Sequence, residues 1–174
     1  MVGFPYLISF KHLFLIVFFK SFFTELRNAT LILTMIKTKF SNAASTYNSA
    51  ALIQTITAEN IMLFTPPSSP KNILDIGCGT GLLTKRMAST YPQSHIDAID
   101  ISQAMINQLN SCKPKNVSTF CNDFSKMDIT KHYNYIVSNA ALHWMNIPET
   151  LQHIASLLTS EGYCYCSIFG PQTA

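Results

Sequence analysis

Three glycines at alternate positions, Gly77, Gly79 and Gly81, follow a carboxylate at Asp75. A short apolar run, Ile73, Leu74 and Ile76, leads into them, and Leu82, Leu83, Met87 and Ala88 recur behind them near a 3.6 period. Strand, glycine turn and helix in that order let backbone approach a ligand where a Cβ would collide, with the N–H groups of the helix start turned toward it. The spacing departs from the dinucleotide fingerprint G-x-G-x-x-G: the third glycine comes one residue early, and Leu82 stands where the last should be. Asp75 departs from it further. A pyrophosphate would be repelled by a carboxylate at the strand end, whereas a ligand carrying an ammonium and a sulfonium would be drawn to it. A second acid, Asp100, lies roughly twenty residues past the glycines, where a carboxylate can accept hydrogen bonds from both hydroxyls of a ribose. Asp97 competes for that role but sits in the middle of its strand.

The pattern Asp75-x-Gly77-x-Gly79-x-Gly81 resembles the first motif of the class I S-adenosylmethionine-dependent methyltransferases. That resemblance implies an α/β, Rossmann-like fold: a parallel sheet of order 3-2-1-4-5 with helices on both faces. It implies S-adenosylmethionine as cofactor, held by Asp75, Gly77, Cys78, Gly79 and Gly81 at the turn and by Asp100 and Ile101 at the ribose and adenine. It also implies Asp123 accepting from the adenine amino group and Phe124 flanking the ring, against a purely structural reading in which Asp123 caps the next turn. Asn139 closes the expected cofactor set. Met105, by contrast, is expected in the core.

Two further stretches resemble one family within that class, the malonyl-acyl-carrier-protein O-methyltransferases of biotin synthesis. They are Phe40-x-x-Ala43-Ala44-x-x-Tyr47-x-x-x-Ala51-x-x-Gln54 and Ser138-Asn139-x-Ala141-x-x-Trp144. The second also resembles the trans-aconitate methyltransferases. In sheets of this kind chemistry lies beyond the carboxyl ends of the central strands, so Asn139, His143 and Trp144, with Tyr47 from the preceding helix, are the candidates nearest the methyl group. The acceptor implied is the free carboxylate of malonyl-acyl-carrier protein or malonyl-CoA. A carboxylate is ionised at neutral pH and needs no general base; alignment and exclusion of water would supply the rate. Its weak point is specificity, because such an acceptor favours an Arg partner. The chain has only Arg27 and Arg86.

The elements that position these residues fall into three stretches. Residues 71–174 carry the motif, and four more strands are expected at 94–100, 117–124, 133–139 and 163–169. Ser102 is expected to cap a helix running to Leu109, with Ala104, Met105 and Leu109 toward the sheet. Residues 35–70 form an expected helical lid, broken by Pro66, Pro67 and Pro70. Residues 1–34 are apolar and hold seven of the twelve phenylalanines. Lys11, His12 and Lys20 interrupt them well short of the ~20 apolar residues of a membrane span. Translation from Met35 and a membrane-associating leader are both open readings. Past Phe169 only a few residues follow, so the final antiparallel hairpin of the class is expected to be lacking. The fifth strand would then be left as a bare edge and methyl transfer would be slow or absent.

Charge argues against nucleic acid as a partner. Five Lys/Arg against Glu25 alone fall in residues 1–40, whereas seven Lys/Arg face eight Asp/Glu in the remainder, so the domain has no basic surface for a phosphate backbone. The five cysteines lack metal-ligand spacing. They fit reduced thiols in the cytoplasm, and no metal is expected.

Overall fold

The structure is a computed structural model that describes residues 8–10, 13–18, 46–64, 66 and 68–169, with side chains from Gln54 to Ile168. Its centre is a parallel sheet whose strands are β3 (Asn72–Ile76), β4 (His95–Asp100), β5 (Val117–Cys121), β6 (Tyr133–Asn139) and β7 (Leu158–Phe169). Read from one edge the order is β5-β4-β3-β6-β7, the expected 3-2-1-4-5. Every one of these pairings is parallel. Between them run α2 (Leu82–Thr90), α3 (Gln103–Asn110) and α4 (Ile147–Leu157), preceded by α1 (Thr46–Leu63).

Side chains alternate across a strand, and that alternation builds two cores. Ile73, Ile96, Tyr135 and Val137 pack with Ala58 and Ile61 of α1, Leu83 and Met87 of α2, and Ile106 and Leu109 of α3. Leu74, Ile76, Ile99 and Ile136 face the other way, onto Ile154 and Leu157 of α4. Asp75 is on the α1–α2–α3 side, aligned with Ala98 of β4 and Val137 of β6. It is thus a carboxylate in the middle of an apolar layer. α1 joins that layer at Thr57, Ala58 and Ile61, all buried, and its end is tied down by Phe64. The Phe64 ring stacks on Tyr165 with centroids 5.4 Å apart, and Tyr135 Oη donates to the Phe64 carbonyl at 3.0 Å.

Three expectations are corrected. Asp123 and Phe124 lie beyond β5, which ends at Cys121; a single 3-10 turn, Phe124–Lys126, follows. On α3, Ser102 Oγ does accept from the Met105 N–H. However, Ile106 and Leu109 make the buried face, while Ala104 and Met105 are exposed. Two i, i+3 apolar residues outvote the run that begins at Ala104.

The third correction concerns the edge of the sheet. β7 is not bare: β2 (Leu13–Phe18) pairs with it in parallel from Leu13 opposite Cys164 to Phe18 opposite Phe169, and β1 (Ile8–Phe10) adds an antiparallel strand outside β2. Among the described residues the sheet therefore has seven strands. Residues from the apolar amino-terminal stretch occupy the edge expected to lie open, and β-branched and aromatic residues such as Phe14, Ile16 and Val17 favour that conformation. No described helix is long and apolar enough to cross a membrane.

Removing residues 1–34 uncovers the backbone donors and acceptors of β7, a template for pairing with other chains. The shortened chain is expected to keep its far-ultraviolet circular dichroism, lower its thermal midpoint by several degrees and self-associate in light scattering. An unchanged midpoint with a monodisperse solution would show that β2 does nothing for the edge.

Candidate functional site

The strands β3, β4 and β6 end side by side at Ile76, Asp100 and Asn139, and beyond them opens a cavity of about 620 Å³. Its shape begins at Gly77, whose φ of 70° is left-handed, a region open to glycine. A Cβ there would stand 2.3 Å from Ala141 Cβ, so the turn and the β6 loop can approach only because Gly77 has none. Ala140 takes a positive φ of 55° without being glycine; its N–H is held by the Ser167 carbonyl at 3.0 Å and Ser167 Oγ at 2.9 Å.

The N–H groups of the glycine turn itself bond within the chain. Gly77 and Cys78 donate to the Ile99 carbonyl at 2.8 and 3.0 Å, and Gly81 donates to the Cys78 carbonyl at 2.9 Å. Gly79 donates to Asp100 Oδ2 at 2.8 Å. The turn spends its donors on holding its own shape and offers the ligand room. A phosphate cradle requires the opposite arrangement.

Carboxylates take over the polar role. Asp75 is 1% exposed. Thr84 Oγ1, buried on α2, donates to its Oδ2 at 2.5 Å, while Oδ1 has no hydrogen-bond partner. Burial pushes the Asp75 carboxyl up to about 6; the Thr84 hydrogen bond pulls it down and the nearby Asp100 carboxylate adds to the rise. Asp100 Oδ1 accepts from the Ser102 N–H at 2.8 Å, so both its oxygens are fixed by backbone donors, each with a lone pair left for a ribose hydroxyl. Asp75 and Asp100 line the same cavity.

Most of the expected site residues are brought together there: Gly77, Cys78, Gly79, Ile101, Asp123, Phe124, Asn139 and Trp144 also line it. Ile101, 73% exposed, presents a bare apolar surface there. Burial pushes the Cys78 thiol well above its ordinary range, which keeps it neutral and unreactive. Asp123 serves the local turn: Oδ1 accepts from Ser125 N–H and Oγ, and Oδ2 pairs with Lys126. The Ser125 hydroxyl is the main reason its carboxyl lies below the usual range. Phe124 is buried and stacks on His153 with centroids 4.7 Å apart, so its ring belongs to the α4 core as much as to the cavity.

Other expected residues stand apart. Gly81 sits behind the turn, where a Cβ would meet Leu109 Cδ1 at 2.3 Å. His143 lies next to Trp144 with ring centroids 5.0 Å apart but does not line the cavity; burial lowers its pKa. Tyr47 is on α1, and its side chain lies outside the described residues. Asp97, the rejected competitor, is held by Lys131, Tyr133 and His95 at 2.7, 2.9 and 2.9 Å, away from the cavity. Sequence reasoning missed Thr84 and Glu149, named Gln54 only as part of a family pattern, and placed in the core Met105, which lines the cavity instead. Thr84 left a trace, as a hydroxyl on the apolar face of α2.

An unpartnered buried carboxylate, a second carboxylate for a ribose and an apolar shelf for a purine fit S-adenosylmethionine. The sheet around them has the strand order of the class I methyltransferase fold. The chain belongs to the family described as the methyltransferase domain, whose model matches residues 73–162. Relatives named malonyl-[acyl-carrier protein] O-methyltransferase include one from Bacillus cereus, 30% identical over 80% of this chain and 54% of its own length. Another, from Ilyobacter polytropus, is 36% identical over 77% of this chain and 53% of its own. The chain therefore spans about half the length of these curated relatives. Among solved structures, the plantazolicin methyltransferase BpumL in complex with S-adenosylhomocysteine shares the fold at a TM-score of 0.54 and 23% identity, over 84% of this chain and 55% of that one. Coclaurine N-methyltransferase does so at a TM-score of 0.56 and 19% identity, over 71% of this chain and 37% of that one.

The raised Asp75 pKa carries a sign. A cationic donor is held by the ionised form, so affinity is present above about pH 6 and is lost as pH falls through that value. Calorimetric affinity for S-adenosylmethionine is expected to be about ten-fold weaker at pH 5 than at pH 7. Thr84→Val, which removes a hydrogen bond to the charged form, should move that loss to higher pH. An affinity flat across this range, or the same midpoint in Thr84→Val, would remove Asp75 from the binding account.

Proposed function

We propose that the chain carries the donor half of an O-methyltransferase that esterifies the free carboxylate of malonyl-acyl-carrier protein, or of malonyl-CoA, on the route to biotin. The observation that carries this reading is the cavity itself: its acids suit a cationic sulfur donor beside β6, and among the described residues no Lys or His lines it to serve as a general base. A carboxylate acceptor needs none. The relatives of that name in Bacillus cereus and Ilyobacter polytropus support the acceptor. In this reading Asp75 holds the donor's ammonium, Asp100 its ribose, Ile101 and Asp123 its adenine. The β6 loop from Asn139 to Trp144 borders the methyl group and excludes water from it. S-adenosylmethionine supplies the electrophilic methyl; the residues of the chain bind and orient. Five free cysteines agree with a reducing cytoplasm.

One observation favours a second reading, a domain that binds the donor without turning it over. The acids lining the cavity are Asp75, Asp100, Asp123 and Glu149, and no Lys, Arg or His lines it among the described residues. A malonyl carboxylate thus meets no counter-charge there.

Incubation with S-adenosylmethionine and malonyl-carrier protein, followed by intact mass analysis, tests the first reading against the second. The expected result is donor binding with a mass gain of one methylene on the carrier, accumulating far below the ~10 per second of a typical enzyme. Transfer to trans-aconitate in preference would overturn the acceptor assignment, and failure to bind the donor would overturn both readings.

A further inference from the structure

Asn139 is expected from sequence to touch the donor or the methyl group, but its hydrogen bonds point to the helix above. Its Oδ1 accepts from Thr57 Oγ1 at 2.6 Å and from Ser167 Oγ at 2.8 Å, and its Nδ2 donates to the Gln54 carbonyl at 2.9 Å. An amide oxygen has two lone pairs and its nitrogen two protons, so the oxygen is filled and one of the two N–H donors is used. Asn139 and Ser167 are register partners at the ends of β6 and β7. Ser167 Oγ also receives the Ala140 N–H, which fixes the amide's orientation from below. Thr57 is 1% exposed and does not line the cavity, whereas Gln54, one turn earlier, does. The far end of α1 is held separately, by Phe64 on Tyr165 and Tyr135.

We propose that Asn139 is a positioning residue that clamps the Gln54–Thr57 turn of α1 over the cavity and acts on the bound donor through that helix. The proposal rests on the reading of the cavity as an S-adenosylmethionine site. Among the described residues α1 is then a roof with a polar fixing beside the ligand, an aromatic one remote from it, and an exposed ion pair from Arg86 of α2 to Glu59 at 3.1 Å. Loss of the polar fixing lifts Gln54 while leaving the core intact, because Ala58 and Ile61 remain packed on the sheet. A direct contact between Asn139 and the ligand would make Thr57 irrelevant to affinity, and that is where the two accounts part.

The test is calorimetric titration with S-adenosylhomocysteine of the full chain and of Asn139→Ala, Thr57→Val, the double variant and Thr57→Ser, with Ser138→Ala as a stability control. Ser138 is equally buried and bonds only toward the Ile76 carbonyl. Each of the first two substitutions is expected to weaken binding by about five-fold, the worth of one hydrogen bond. The double variant should be no weaker than the weaker single, with Thr57→Ser restoring affinity and Ser138→Ala lowering only the thermal midpoint. Hydrogen exchange without ligand provides a second readout: amides of residues 55–60 should exchange several-fold faster in Asn139→Ala and Thr57→Val. Wild-type affinity in Thr57→Val, with loss in Asn139→Ala, would assign Asn139 to direct ligand contact and overturn the clamp. Unchanged exchange in both variants would overturn it too. If the full chain binds no S-adenosylhomocysteine, the donor assignment fails and the exchange measurement alone decides whether the clamp exists.

Discussion

Burying a carboxylate without a full set of partners is unfavourable by several kcal/mol unless something offsets it, and Asp75 is buried with one oxygen unpaired. Much of the local structure follows from that constraint. Thr84 is placed on α2 to satisfy the other oxygen, which requires α2 to start immediately after the glycines. The glycines in turn bring that start close to the β6 loop, where Ala141 touches the space a Gly77 side chain would fill. The raised pKa is the sign that the group is not fully satisfied within the chain. A ligand ammonium is the partner that would complete it, which makes binding and the relief of an unpaired buried group the same event.

The same constraint separates this site from the phosphate-binding turns it resembles in sequence. In those turns backbone donors are left free for an anion. Here Gly77, Cys78, Gly79 and Gly81 spend theirs on Ile99, Asp100 and Cys78, and the cavity is lined by acids. Its polarity selects for a cation. That preference suits the donor, and among the described residues lining the cavity none offers an anion a counter-charge.

The central fold was legible because its signals are local and periodic. Ile73, Leu74 and Ile76 before three glycines, and Ser102 before an apolar helix, state a strand, a turn and a cap through nearest neighbours alone. Asp75 and Asp100 were legible for a related reason, since parallel strands joined by short helices bring consecutive carboxyl ends together. What stayed hidden depended on distant partners. Thr84 matters only because Asp75 lies over it, and the Asn139 amide bonds to α1 only because Thr57 and Gln54, more than eighty positions earlier, lie against it. The pairing of residues 13–18 with β7 was hidden for the same reason: a short apolar run carries no mark of which strand it will join. In the 3-10 turn Leu142–Trp144, Trp144 lines the cavity and His143 does not, as the structural reading of a histidine beside an aromatic has it.

A crystal structure of the chain with S-adenosylhomocysteine bound tests the account at its root, since that molecule keeps the ammonium and the ribose. The account predicts the ammonium within about 3 Å of Asp75 Oδ1, hydrogen-bond distance for such a pair, with both ribose hydroxyls on Asp100. An ammonium placed elsewhere, with Asp75 Oδ1 still unpartnered beneath the ligand, would contradict it.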